Sequence, residues 1–583
     1  MYPMKEKIRC EWYLPFVLVV LSAFVIYACS SREDFQIRSE STTIAQLEEG
    51  DDWSLPSWVV KKEGTGLYDY PSVIQQPELY AVNLTWRELN PAENIYNWQK
   101  LEQALSSGHK IWLRIFASDT LHCPDWLGRK YSNLRPLQYP AEGGSYGETI
   151  TGYSPGRFYP IWQADFDSAF SKFLSAFGDK GFAAHPNLVF MYAPGAWRWN
   201  EWEVIFTEHI RSELGSVELF YHWFKRHIDN YANAFKNDEH KLVFTGYPQM
   251  DKCEAQIDFA VALNDVTTGR NLLTDYAVSK GMSVRVGALE YFNGYSHIPS
   301  WGAPAIAHNG KRYQRIDLNH PLHRDRLRIL ATENEALGDE NMISGTGSYY
   351  FIKMLTLKSL QLGVNWLNMQ DKNYLLAPDV IEYARKTMGK SPAESPDAWV
   401  VLREWYDASY RAASAIDQVP GSKAFFEQLQ LPYRNWEKYL AHHDFAPGGV
   451  TVATQKLEGS SPFLQSNGTS YEALRTNVKT GDKFICFTVL DDFLFDNSKP
   501  VEIKVTYLDN NSTQWFVEYD GASGSSSTAT ITNSNDGKWK TLSFQINDAK
   551  FRNRIEGNFD FRIVNQGAAD LTVRQVRLVK LTP

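Results

Sequence analysis

Cysteine is scarce in this 583-residue chain, with five in all. Cys10 and Cys29 lie within the first 29 residues, which leaves Cys123, Cys253 and Cys486 scattered through the rest. That trio offers neither a disulfide framework nor zinc-ligand spacing, and reads as buried small hydrophobes. There is no H-E-x-x-H, no phosphate loop and no Rossmann glycine fingerprint, so no cofactor and no metal is expected. His442-His443-Asp444 resembles a ligand cluster only superficially, because adjacent histidines point apart and no further ligands are spaced to join them. A lysine- or arginine-rich block is missing too, and the formal net charge is −9, which excludes a nucleic-acid partner that needs a basic surface.

The N-terminus carries a positive stretch at Lys5, Lys7 and Arg9, then an apolar run from Leu14 to Tyr27. That run is shorter than the roughly 20 residues a membrane-spanning helix needs. It closes on Ala28-Cys29, followed by polar Ser30-Ser31-Arg32-Glu33-Asp34, and resembles a bacterial lipobox. The resemblance implies a signal peptide over 1–28 and a lipid on Cys29 that serves as membrane anchor. An uncleaved anchor or an ordinary secretory signal are the alternatives. The acidic pair after Cys29 resembles the surface-export signal of Bacteroidetes lipoproteins, so the expected location is the bacterial cell envelope, at the outer membrane, surface-exposed or periplasmic. Residues 29–52 are polar and read as a tether.

What the chain has in excess is tryptophan. There are 19, of which 16 lie between Trp53 and Trp436. Across that region short apolar strands alternate with amphipathic helices, which predicts an α/β fold with a parallel sheet. The strand candidates are Tyr80–Leu84, Lys110–Phe116, Leu188–Tyr192, Lys241–Thr245, Ser283–Leu289, Leu327–Ala331 and Val364–Met369. Pro160–Phe177 is the clearest helix, with Phe166, Phe170, Phe173, Leu174 and Phe177 on one stripe. Seven strands, with a short third one expected between 117 and 160, fit a (β/α)₈ TIM barrel over 53–415. A doubly wound sheet is the rival. After a connector at 416–447, the segments Val501–Tyr507, Trp515–Tyr519, Ala529–Thr532, Thr541–Ile546, Phe559–Ile563 and Leu571–Leu578 alternate with turns. They predict an all-β sandwich, a jelly roll, over 448–583.

Two strand ends release carboxylates. The run Leu188–Tyr192 stops at Ala193-Pro194-Gly195 and leads into Trp197, Trp199, Asn200, Glu201 and Trp202. Leu327–Ala331 ends in Thr332-Glu333-Asn334-Glu335. A pair of carboxyl groups flanking a sugar is what glycoside hydrolysis requires, and aromatic faces stack on pyranose rings. Glu203 is the local rival of Glu201. Glu333 and Glu335 share a face by the period of two, so parity does not separate them, although Glu333 is closer to the strand end.

After the first strand candidate, Trp86-Arg87-Glu88-Leu89-Asn90-Pro91-Ala92-Glu93-Asn94-Ile95-Tyr96-Asn97-Trp98 resembles the W-x-x-x-E-P-x-x-G-x-Y-x-W loop of clan A glycoside hydrolases such as the family 42 β-galactosidase group. Asn90 stands for the usual Glu and Asn94 for the usual Gly; Asn94 can supply the left-handed turn. The resemblance implies an acid/base after strand four, often Asn-Glu, matched by Asn200-Glu201. It implies a nucleophile ending strand seven, matched by Thr332-Glu333. Arg114, on the second strand candidate, matches an arginine that holds the nucleophile ionised, the alternative being a barrel-floor salt bridge. Trp366 matches a platform beneath the reacting sugar, or is core. Glu290, Tyr291 and Tyr295 follow strand six, where one of them would orient the nucleophile. Trp86, Asn200, Trp199 and Tyr291 are further substrate contacts, with Trp126, Trp197 and Trp301 as subsite walls. The C-terminal domain resembles jelly-roll modules of polysaccharide-degrading enzymes, with Trp515, Tyr519 and Trp539 as glycan-binding candidates. The expected partner is therefore a carbohydrate, bound by an O-glycosyl hydrolase or by a surface glycan-binding lipoprotein that has lost its chemistry. Oligomeric state and the identity of the sugar are not legible.

Overall fold

The computed structural model describes residues 50–69, 77–138, 157–160, 162–193, 214–215, 217–245, 264–265, 270–288, 305–308, 311–314, 330–334, 346–369, 371–402, 435–443, 450–456 and 469–583. Within this span an α/β domain is followed by β-sheets. Its eight parallel strands are β1 (Gly66–Asp69), β2 (Leu79–Thr85), β3 (Ile111–Phe116), β4 (Leu188–Ala193), β5 (Leu242–Phe244), β6 (Ser283–Ala288), β7 (Leu330–Asn334) and β8 (Trp366–Met369). They pair in the order β1-β8-β7-β6-β5-β4-β3-β2, and β1 pairs also with β2 through Tyr68↔Leu79 and Asp69↔Tyr80. The parallel sheet thus curls until its first strand meets its second along two residue pairs.

Two strand expectations change. Among the described residues, the strand that seven apolar runs left to be found does not lie between 117 and 160. There the described residues form a small antiparallel pair, Leu137–Gln138 with Arg157–Phe158. The missing strand is β1, ahead of all the others. Four residues long and opened by Gly66, it is too brief to show a period. The strands carrying Leu188 and Thr332 remain fourth and seventh, but Arg114 moves from second strand to third.

Helices follow the strands: α1 (Trp86–Leu89), α2 (Gln99–Leu105), α3 (Asp125–Lys130), α4 (Ala164–Asp179), α5 (Val217–Ala234), α6 (Leu272–Ser279), α7 (Thr346–Leu362), α8 (Asp371–Leu376) and α9 (Pro378–Thr387). α4 begins later than its apolar pattern because Pro160 and Gln163 lie in its lead-in turn, where the Gln163 amide bonds the Pro160 carbonyl. Its stripe of Phe166, Phe170, Phe173, Leu174 and Phe177 is buried against the sheet and α5. Burial of such side chains contributes roughly 1.5–3 kcal/mol each.

The β part begins earlier than sequence suggests. Its strands are β9 (Asp397–Leu402), β10 (Asn435–Lys438), β11 (Leu440–His443), β12 (Val450–Lys456), β13 (Thr469–Arg475), β14 (Phe484–Val489), β15 (Val501–Asp509), β16 (Gln514–Gly521), β17 (Gly524–Ser527), β18 (Lys538–Ile546), β19 (Phe561–Asn565) and β20 (Thr572–Lys580). One sheet runs β10-β9-β20-β13-β12, with β15 pairing both β20 and β18; the other runs β11-β14-β19-β16-β17. Residues 397–402, assigned on sequence to the 53–415 barrel, pair with β20 from Asp397↔Val579 to Val401↔Gln575. Residues 435–443, assigned to the connector, supply β10 and β11. Ala398, Val400 and Leu402 enter the sandwich core with Val576 and Leu578.

The end of the expected tether is also part of the fold. Asp51 is buried between Lys353 of α7 and Arg574 of β20, with Arg574 Nε and Nη2 donating to its Oδ1 at 3.0 and 2.9 Å. Burial alone would raise the Asp51 pKa, but Arg574 and Lys353 outweigh it and hold the carboxyl below its usual value. Asp52 pairs with Lys504 of β15, and Trp53 lies 4.9 Å from the Tyr383 ring of α9. Residues 50–54 thus join α7 and α9 to the outer face of the β9–β20–β15 sheet.

Inside the sandwich, Asp560 accepts the Val489 and Asn553 amides at 2.8 and 2.9 Å, yet burial pushes its pKa up to about 7. A folded-state value above the unfolded one means this group favours folding at acid pH, and the contribution is lost as pH rises from about 4 to about 7. The urea midpoint is therefore expected to fall across that window, and Asp560→Asn to remove this part of the slope.

Candidate functional site

The inner face of the curled sheet is set by alternation. On β3, Leu113 and Ile115 pack outward on the helices while Trp112 lies inside; on β4, Met191 and Ala193 face out while Phe190 and Tyr192 lie inside. Tyr68, Trp112, Phe190, Tyr192 and Trp366 fill the lower layers. Tyr68 meets Trp112 and Phe190 edge-on at 5.2 and 5.3 Å, and its hydroxyl is 2.9 Å from that of Tyr192. Asn368 Nδ2 donates to the Tyr68 carbonyl at 2.9 Å. This packing is a solid floor of aromatic rings.

Above the floor sit two cations. Arg114 is 7% exposed, its guanidinium carbon 5.5, 5.0 and 5.9 Å from the Trp112, Phe116 and Tyr192 ring centres. Arg285 of β6 is 5% exposed, 5.7 Å from the Tyr192 ring, and its Nη2 donates to the Thr245 carbonyl at 3.1 Å. Two guanidiniums near one tyrosine favour ionised carboxylates beside them. Asn83, in register with Arg114 and on the parity of inner residues Leu79 and Ala81, is exposed. The inner face opens at this level, towards the C-terminal strand ends.

Sequence reasoning missed Arg285 and Asn83. A signal for the first was present: a charge in the middle of Ser283-Val284-Arg285-Val286-Gly287, an otherwise apolar or small run. Of the expected residues, Arg114 and Trp366 share the inner face. Trp366 is 4% exposed and meets Phe190 at 6.2 Å, as part of the floor. β7 extends to Asn334, so Thr332 and Glu333 lie within the strand instead of beyond it. Of Glu333 the backbone is described, in register with Ala288 of β6 and Asn368 of β8. Asn200, Glu201, Glu203, Trp197, Trp199, Glu290, Tyr291, Tyr295, Trp301, Glu335 and Cys29 lie outside the described residues.

Trp86 and Trp126 are not at the opening. Trp86 is fully buried among Phe166, Phe170 and Phe173 of α4, between sheet and helices, because it starts α1 and turns away from the strand direction. Its Nε1 donates to Asn90 Oδ1 at 3.1 Å, and Trp126 Nε1 donates to the Asn90 carbonyl at 3.1 Å. Asn90 in turn donates from Nδ2 to the Ala92 and Ile95 carbonyls at 2.7 and 2.9 Å. Asn94 has φ 57°, the left-handed turn expected of it. Asn90 therefore clamps the loop. Asn90→Asp replaces a double donor with acceptors, and should lower unfolding stability by about 1–3 kcal/mol. Chemical denaturation would measure that loss.

The sandwich candidates are likewise internal. Trp515 is fully buried and donates from Nε1 to Asn533 Oδ1 at 2.8 Å. The Tyr519 hydroxyl donates to Asp548 at 2.8 Å, and Arg574 covers the Trp539 ring at 4.4 Å. None presents a free face to a glycan. His442 is buried near Phe487, and the described residues contain no group of metal-ligating side chains. Cys123 and Cys486 are free and buried, and burial raises the pKa of both thiols, that of Cys486 to about 12.

No protein-family model and no curated protein sequence matches this chain. Among solved structures, a glycoside hydrolase family 30 subfamily 8 xylanase from Clostridium acetobutylicum is similar over 90% of this chain and 98% of its own, at 10% identity and TM-score 0.27. A β-galactosidase from the psychrophilic Marinomonas ef1 matches 45% of this chain and 37% of its own, at 12% identity and TM-score 0.22. A xylanase fragment from Clostridium thermocellum, with a CBM22 module and a GH10 module, matches 24% of this chain at 14% identity and TM-score 0.17. The present chain spans about a quarter of that structure, 26%.

Proposed function

We propose that this chain is a retaining glycoside hydrolase built on a (β/α)₈ TIM barrel, with Glu201 as acid/base and Glu333 as nucleophile. The observation that carries the reading is the register of β7. It sets Glu333 beside Asn368, on a strand flanked by β6, which supplies buried Arg285, and within the sheet that also supplies Arg114. Such guanidiniums favour the ionised form of a nucleophilic carboxylate beside them at neutral pH. Glu201 follows the end of β4 by eight residues, in a tryptophan-rich segment suited to holding an acid protonated. In the reaction Glu201 protonates the leaving oxygen while Glu333 attacks the anomeric carbon. Glu201 then takes a proton from water, which releases the sugar with retained configuration when the carboxyl groups stand about 5–5.5 Å apart.

The same proposal includes likeness to the family 42 β-galactosidase group, a lipid on Cys29, a place at the outer membrane and a polysaccharide or oligosaccharide substrate. The non-catalytic glycan-binding reading drew on Asn90, and that departure now has a structural explanation in the loop clamp. The test is a screen of protein beginning upstream of Gly50 against plant and algal polysaccharides, with product analysis. Release of sugars with retained configuration is expected. Binding without product across the panel would overturn the proposal.

A further inference from the structure

The outer face of the β9–β20–β15 sheet carries a row of cations. Val401 pairs with Trp436 and Val400 with Glu437; the antiparallel ladder stops there, and Trp399 of β9 bridges Tyr439, the residue after Lys438 of β10. Trp399 pairs with Arg577 of β20, and Arg577 with Lys504 of β15. Trp399, Arg577 and Lys504 thus lie level across three neighbouring strands, with Lys438 one residue from the bridge to Trp399. α7 packs on β10, and Trp53 with Tyr383 of α9 covers Arg577, whose guanidinium lies 5.3 and 5.1 Å from their rings.

Two of the three charges are answered. Arg577 donates from Nε and Nη2 to Asp397 Oδ2 at 3.1 and 2.7 Å, and Lys504 pairs with Asp52 and Glu502. Lys438 is not. It is 5% exposed, its Nζ has no hydrogen-bond acceptor among the described residues, and its charge faces Asp397, Lys390 and Arg577. Asp397 is already committed to the Tyr383 hydroxyl and Arg577. The indole N–H of fully buried Trp399 also lacks an acceptor there.

Lys438 precedes the residue bridged to Trp399, and neither side chain belongs to the sandwich core, so the two donors lie in the same part of the seam. A buried cation without a hydrogen-bonded counter-ion is destabilising, and so is an unmatched buried N–H. Water between them would satisfy the hydrogen bonds and leave the charge. A monovalent anion answers both, and a halide accepts from several N–H groups without directional demand. We propose that Lys438 Nζ and Trp399 Nε1 form a buried halide site, filled by chloride, in the seam between the sandwich and α7 and α9. Burial draws the Lys438 amine down to about 8, against the nearby Asp397, which favours the charged form.

The test uses the whole chain. Crystals grown in sodium bromide should show an anomalous peak within about 3.5 Å of both nitrogens. The melting temperature in sodium chloride should exceed that in sodium gluconate of equal ionic strength by about 1–2 °C at tenfold saturation. Lys438→Met should abolish this difference. Absence of a peak at Lys438, equal melting temperatures in the two salts, or a halide effect that persists in the variant would each overturn the proposal. Should the variant fail to fold, the two measurements on the unaltered protein decide.

Discussion

Glu201→Gln should lower turnover by about 10²–10⁴-fold, the usual worth of a general acid/base, while leaving fold and sugar binding largely intact. Gln preserves volume and hydrogen-bonding reach but has no proton to give the leaving oxygen. The loss should be smallest on substrates with good leaving groups, which need little protonation, and that gradient distinguishes an acid from a merely bulky neighbour. Equal losses across leaving groups would point to Glu203 or to another residue. The same comparison on Glu333→Gln and Glu335→Gln separates the nucleophile candidates, since the true one is required whatever the leaving group. Steady-state kinetics on aryl glycosides of graded leaving-group acidity supply the measurement.

Asp51→Ala should cost about 3–5 kcal/mol of unfolding free energy, the expected result of removing one member of a buried ion cluster. The substitution strands Lys353 and Arg574, 2% and 3% exposed, without their shared carboxylate. The wild-type contribution is present above about pH 4 and fades as acid protonates the carboxyl, because its folded-state pKa lies below the unfolded value. Denaturant titration of both proteins at pH 7 and near pH 3 is the check, with the gap between them narrowing at the lower pH. A gap unchanged between the two pH values would mean that the carboxyl charge is not what holds the cluster.

Much of the architecture was legible because parallel strands buried on both faces read as unbroken apolar runs, and because α4 carries its phenylalanines on one stripe. Gly66–Asp69 escaped for want of length. Within the 53–415 span, Asp397-Ala398-Trp399-Val400-Val401-Leu402 pairs with β20, and composition does not say which sheet claims such an apolar run. Trp86 misled for a different reason. Position after a strand end suggests an opening, but a single helical turn redirects the ring to the opposite side of the sheet. Arg114 was found through a motif resemblance, whereas Arg285, its chemical counterpart, belongs to no motif and becomes visible only when both guanidiniums converge on Tyr192.

The sandwich is not a module that can be excised at residue 448. A fragment starting there would leave β20 with a naked edge where Asp397–Val401 belongs, and β14 with another where Leu440–His443 belongs. Unpaired edges of that length recruit other chains, so such a fragment should precipitate. Dividing this protein for separate study of its two parts would create an artefact of the cut.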